Sequence, residues 1–196
     1  MPMSARRSQG VLFCVAAAWC LACPHAGRAI PPEVDDVHID LGEDTADRMT
    51  HPQVTLDGNT TTTIGGVLCR KNVTASKNLY SHFAVSDIVT FQGNQPELHI
   101  TIRYYDTSAG SLSLQYDSST GTGIAAEYRT SGHLTNTNDW LTFTYHVTDA
   151  YFGNRENGGA DFRIARSSSG TFYLDTVTVS IPHSDKCSVC YGCHEG

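Results

Sequence analysis

Strict two-residue alternation is the feature that most constrains this chain. Leu98-His99-Ile100-Thr101-Ile102-Arg103-Tyr104 alternates apolar and polar residues without a break, and so does Leu141-Thr142-Phe143-Thr144-Tyr145-His146-Val147. In a strand, such alternation puts one face on a core and the other in water. After residue 30 no segment keeps an apolar stripe at helical spacing. The expected class is therefore all-β, with chemistry carried on loops or on an exposed sheet face.

The strands are expected at Val37–Leu41, Thr60–Ile64, Val67–Arg70, Leu79–Val85, Leu98–Tyr105, Ser111–Tyr116, Ala125–Tyr128, Trp140–Val147, Asp161–Ala165 and Thr171–Ile181. Residues 42–59 read as polar and irregular, and Gly65-Gly66 as a turn or bulge. In the Leu79–Val85 segment, Leu79, Ser81, Phe83 and Val85 share one side, and Tyr80, His82 and Ala84 the other. Connectors rich in Gly, Ser, Asn and Asp supply the turns. This spacing, roughly nine strands with the short Val67–Arg70 segment set apart, predicts a two-sheet antiparallel β-sandwich of jelly-roll type.

The N-terminus reads as an export signal over residues 1–29. Arg6 and Arg7 precede the short apolar run Val11–Ala22, and Gly27-Arg28-Ala29 offers a cleavage site before Pro31-Pro32. A run of about 12 apolar residues is too short to span a bilayer, so no transmembrane segment is expected. Cys20-Leu21-Ala22-Cys23 is a poor match to the alternative, a lipoprotein signal. The chain then divides into a linker at 30–36, a binding domain at 37–181 and a cysteine-rich tail at 182–196. The expected location is secreted, periplasmic or cell-surface.

Removal of the leader takes three of the 13 basic residues and leaves 20 acidic ones, for a net charge near −10. Such a surface repels phosphate backbones, which argues against nucleic acid. It favours a cation such as calcium. Hard cations take carboxylate and carbonyl oxygens. Asp40 and Glu43, with Asp44 and Asp47, follow the first strand, and Asp175 lies in the last. First and last strands often neighbour each other in a jelly roll, so Asp40, Glu43 and Asp175 are the candidate calcium ligands. The alternative is a solvated acidic loop.

Export also permits disulfides. Cys69, Cys187, Cys190 and Cys193 remain after the leader, and they allow three full pairings. Cys190-Tyr191-Gly192-Cys193-His194 matches C-x-x-C-H, the attachment motif for covalent haem c. Cys187, Cys190, Cys193 and His194 also have spacing compatible with zinc. The remaining reading of the tail is a disulfide-linked segment, with one bridge to Cys69. Catalysis finds little support: no spacing marks a carboxylate pair, and no G-x-S-x-G elbow is present. His99 and His146 lie on polar strand faces, where an exposed histidine is ordinary. Asp161 and Arg163 share a face, where they can pair across strands.

Several stretches carry a family resemblance. Ser111-Leu112-Ser113-Leu114-Gln115-Tyr116-Asp117, Trp140 after Asn136-Thr137-Asn138-Asp139, the block from Asp149 to Ile164, and Tyr173-Leu174-Asp175-Thr176-Val177 are these. They resemble jelly-roll, galactose-binding-like modules attached to bacterial carbohydrate-active enzymes. The resemblance implies a galactose-binding-like fold, a glycan or polysaccharide partner and a structural calcium. A sugar site needs aromatic platforms ringed by amides, carboxylates or Arg. Tyr128, Trp140, Tyr151, Asn154, Arg155 and Asn157 are the candidates, although Trp140 can equally fill the core and Asn154 and Asn157 can equally form turns. The expectation is a secreted, non-catalytic carbohydrate-binding module. The alternatives are an exported haem c redox protein that uses the sandwich as scaffold, and a structural cell-surface interaction domain.

Overall fold

A computed structural model describes residues 36–73, 79–120, 127–166 and 170–182, with the side chains of 127–133 outside that description. Twelve strands are present among these residues: β1 (Asp36–Asp40), β2 (Thr45–Asp47), β3 (Met49–Thr50), β4 (Asn59–Ile64), β5 (Val67–Asn72), β6 (Tyr80–Val85), β7 (Leu98–Tyr105), β8 (Ala109–Tyr116), β9 (Glu127–Thr135), β10 (Trp140–Val147), β11 (Phe162–Arg166) and β12 (Tyr173–Ser180). A single 3-10 turn, Asn157–Gly159, is the one helical element described. All strand pairings are antiparallel.

Two sheets stack. The seven-stranded sheet runs β10-β7-β12-β1-β2, and the β4–β5 hairpin joins it through β12. The five-stranded sheet runs β3-β6-β11-β8-β9. The expected two-sheet antiparallel sandwich is thus what the chain forms. The core lies between the sheets and follows the alternation. Leu98, Ile100, Ile102 and Tyr104 of β7 face Phe83, Val85, Leu112, Leu114, Phe162 and Ile164 of the other sheet, all buried. Phe83 and Phe162 stack at 5.1 Å between ring centroids, and Phe152 lies 5.9 Å from Phe162.

Residues 42–59 differ from the expectation. They carry β2 and β3, the edge strands of the two sheets. Segments of three and two residues are too short to show a period, and the burial of Met49 and the stacking of His51 on Phe83 tie this stretch to the core. The strand expected at Ala125–Tyr128 runs instead from Glu127 to Thr135.

Candidate functional site

The outer face of the five-stranded sheet holds an unusual row. On β6, Ser81, Phe83 and Val85 turn inward, so Tyr80, His82 and Ala84 share the opposite face, as alternation predicts. Arg163 on β11 is paired in register with His82 on one side and Gln115 of β8 on the other. Gln115 is paired in turn with Tyr128 of β9. Four strands therefore contribute one line: His82, Arg163, Gln115 and the Tyr128 position.

This row is polar yet withdrawn from solvent. His82, Gln115 and Arg163 are 0%, 4% and 8% exposed. A buried guanidinium is tolerated only where its charge and donors are met. Here Arg163 Nε donates to Gln115 Oε1 at 2.7 Å, and Nη1 lies 3.5 Å from Glu156 Oε2. The guanidinium carbon sits 4.3 Å over the Tyr80 ring, a cation–π contact. His82 Nε2 is 3.3 Å from Asp57 Oδ2, while its Nδ1 is buried without a hydrogen-bond partner. Burial lowers the His82 pKa, and the Asp57 carboxylate offsets this only in part. The ring is thus neutral at pH 7, with one nitrogen as donor and the other as acceptor. A cavity of about 390 Å³, lined by Arg48, Met49, Thr50, Ala84, Val85 and Ser86, opens at the β3–β6 end of this sheet. Its size lies within the range of small-molecule sites, about 300–1,000 Å³.

The loop candidates form a second cluster. Arg155 stacks on Tyr151 at 4.1 Å, pairs with the buried Asp117 carboxylate, and donates through Nη2 to Ser118 O at 2.9 Å. Asp117 Oδ2 also accepts from Gly153 N. Asn154 N donates to Asp161 Oδ1 at 3.0 Å, and its side-chain amide to Asp87 Oδ1 at 3.0 Å. Asn157 stands exposed on the adjoining 3-10 turn. Tyr151 and Arg155 converge on each other, with the guanidinium over the tyrosine ring, while Asn154 bonds to Asp161 and Asp87. Asp161 and Arg163 each find partners on neighbouring strands. Asp161 precedes β11 and turns its carboxylate to Val85 N and Asn154 N.

Trp140 lies on the other sheet. It stands opposite Tyr105 in register, outside the core, with its ring 5.3 Å from that of Tyr105 and under Arg103 at 4.9 Å. Two of the candidate calcium ligands, Asp40 and Asp175, have partners within the chain. Asp40 Oδ1 accepts from the amides of Gly42 and Glu43, both at 2.9 Å. Asp175 is at a register shift of β12, where its carboxylate pairs with the Arg103 guanidinium. Among the described residues no three Asp, Glu, His or Cys side chains gather as a metal site. Of the three candidate calcium ligands, Asp175 thus already has a cationic partner in Arg103.

Cys69 is buried and has no disulfide partner among the described residues, and burial pushes its thiol up to about 11. The candidates Cys187, Cys190, Cys193 and His194 lie outside the described residues, as does the leader. No helix among the described residues is long and apolar enough to cross a membrane.

No family model matches the chain, and no curated protein matches it. Solved structures resemble it in fold. The CBM22-1 xylan-binding domain from Paenibacillus barcinonensis Xyn10C aligns at TM-score 0.45 and 11% identity, over 76% of this chain and 97% of that one. A xylan-binding domain from CBM22, formally x6b, aligns at 0.44 and 15%, over 76% and 97%. The CBM6 module of Cellvibrio mixtus lichenase 5A in complex with cellotriose aligns at 0.38 and 18%, over 74% and 97%. At these scores the likeness carries nothing about function, which must come from the residues of this chain.

Alternation alone placed Tyr80 and His82 on one face, but nothing in the sequence marked Arg163, Gln115, Glu156 and Asp57 as their neighbours. Only Tyr128 among the expected binding residues falls on the row.

Proposed function

We propose that this chain is a non-catalytic glycan-binding module whose binding face is the outer side of the five-stranded sheet. The observation that carries the reading is the row of His82, Arg163 and Gln115 beside Tyr80 and Glu156. Sugars present apolar C–H faces and a rim of hydroxyls. Half-buried Tyr80, with Arg163 over one face of its ring, supplies apolar ring surface, and the remaining Arg163 donors and the Gln115 amide supply groups for hydroxyls, while His82, fully buried, supports the row through Asp57. Their own contacts hold these groups rigid, so that a ligand meets a largely preformed surface. Asp57 and Glu156 serve to orient His82 and Arg163 rather than to move protons, so recognition proceeds without a chemical step. The leader-like residues 1–29 fit an exported chain, where polysaccharide is met.

Calorimetric titration with xylohexaose, cellotriose and a panel of further plant and bacterial oligosaccharides tests the reading. At least one should bind, and Tyr80→Ala and Gln115→Ala should each weaken it tenfold or more, with far-ultraviolet dichroism unchanged. Trp140→Ala, on the opposite sheet, should leave affinity within twofold. Binding that survives both row variants, or that falls only with Trp140→Ala, overturns the proposed face.

A further inference from the structure

The outer face of the seven-stranded sheet carries a different chemistry. On β7 the inward residues are Leu98, Ile100, Ile102 and Tyr104, so His99, Thr101, Arg103 and Tyr105 face outward. On β10 the outward set is Trp140, Thr142, Thr144 and His146. Register brings like to like. Thr101 stands opposite Thr144, with hydroxyl oxygens 2.9 Å apart, and His99 stands directly opposite His146. The two imidazole centroids are 4.7 Å apart, with ring planes inclined by 55°. His146 is exposed and His99 half-buried.

A third side chain completes the arrangement. His146 Nε2 lies 2.9 Å from Glu97 Oε1, with both groups solvent-accessible. A carboxylate acceptor there places the ring proton on Nε2 and leaves the Nδ1 lone pair uncommitted. A carboxylate on one ring nitrogen is the usual orienting partner of a histidine that ligates metal through the other.

We propose that His99 and His146 form a two-histidine chelate for a divalent transition metal, with Glu97 as the orienting carboxylate of His146. The spacing suits it. A metal bound at 2.0–2.1 Å sits about 3.2 Å from an imidazole centroid. With one nitrogen of each ring turned to a common ion, two centroids 4.7 Å apart would subtend about 95° there, within the range for cis ligands of tetragonal, octahedral or distorted tetrahedral sites. Neutral imidazoles select borderline cations, so Cu2+ binds most tightly, followed by Ni2+ and Zn2+, while Ca2+ and Mg2+ prefer oxygen. Two protein ligands leave the other positions to water. Because β10 is the edge of its sheet, the bound ion clips the edge strand to β7. This face is separate from the proposed glycan face, and the inference does not rest on glycan binding.

The test titrates Cu2+, Ni2+ and Zn2+ separately into the full chain at pH 7.5, with Ca2+ as a control. Subtracting His99→Ala and His146→Ala titrations removes the contribution of other ligands, the cysteine tail included. The expected result is one transition-metal equivalent present in the parent and weakened tenfold or more in each histidine variant. Glu97→Gln should weaken it threefold or more. In amide spectra, substoichiometric Cu2+ should broaden signals around His99 and His146 while sparing those around His82. An equivalent that persists unchanged in either histidine variant, or broadening centred elsewhere, overturns the proposal. Both histidines sit at the surface, and unchanged metal-free unfolding midpoints verify that the variants fold.

Discussion

Asp161 shows how much a single carboxyl at the seam of a loop and a strand can do. It is fully buried, and its oxygens accept from the amides of Val85 and Asn154. Burial pushes its pKa up to about 6, with Asp117 and Asp87 adding to the rise and the two amide bonds opposing it. The folded form thus holds its proton more tightly than the unfolded chain, whose Asp titrates near about 3.9. The resulting stabilisation is full below pH ~3.9 and is lost as pH rises through about 6. A two-unit shift corresponds to on the order of 3 kcal/mol. Asp161→Asn removes this dependence, so the stability of the variant relative to the parent should rise between pH 4 and 7. Urea unfolding at several pH values reads it; a flat or falling difference contradicts the assignment. Asp106 works in the opposite sense. Burial favours its neutral form, but bonds from the amides and hydroxyls of Thr137 and Thr135 and from the Asn136 amide outweigh that and hold its pKa below the usual carboxylate range. Neither role was legible in the sequence, because Asp161 depends on an amide 76 residues away and Asp106 on groups 29 to 31 residues away.

Strands were the readable level. Where one face packs and the other meets water, alternation names both the element and its inward residues, and β7 and β10 follow it closely. β2 and β3 escaped because they are too short to show a period. The β4–β5 turn was legible as Gly65-Gly66, though its packing was not. Gly65 has φ +55°, and a Cβ there would lie 2.7 Å from Tyr105 Cε2 and 2.9 Å from Trp140 Nε1. Hairpins with two residues in the left-handed region favour glycine at both. Gly65→Ala combines backbone strain with that clash and should cost about 1–3 kcal/mol. Gly66→Ala has open space around its Cβ and only the φ of +77° to bear, so it should cost less. Thermal unfolding of the two variants gives the comparison, and equal losses would show that the ring contact at Gly65 is unimportant.

At the scale of the molecule, the sandwich makes two outward faces from one alternating pattern. The sequence told inward from outward residues within each strand, and so the fold class was legible. It did not tell which strands are neighbours. His82, Gln115, Tyr128 and Arg163 span 81 positions, and only the order β6-β11-β8-β9 sets them in line. The same gap hid the pairing of His99 with His146, two unremarkable surface histidines until β7 and β10 are placed side by side. The loop candidates were ambiguous for a related reason. Asn, Arg and Tyr beside glycines fit a sugar site and a self-bonded loop equally well, and the partner Asp117 comes from beyond β8. The central claim is that glycan meets the five-stranded face. Amide shift mapping during titration with whichever oligosaccharide binds tests it most directly. The account predicts the largest shifts at Tyr80, His82, Gln115, Tyr128 and Arg163, with β7, β10 and β12 unmoved. Shifts concentrated on Tyr105, Trp140 and Tyr173, or on the loop of Tyr151 and Arg155, would contradict it.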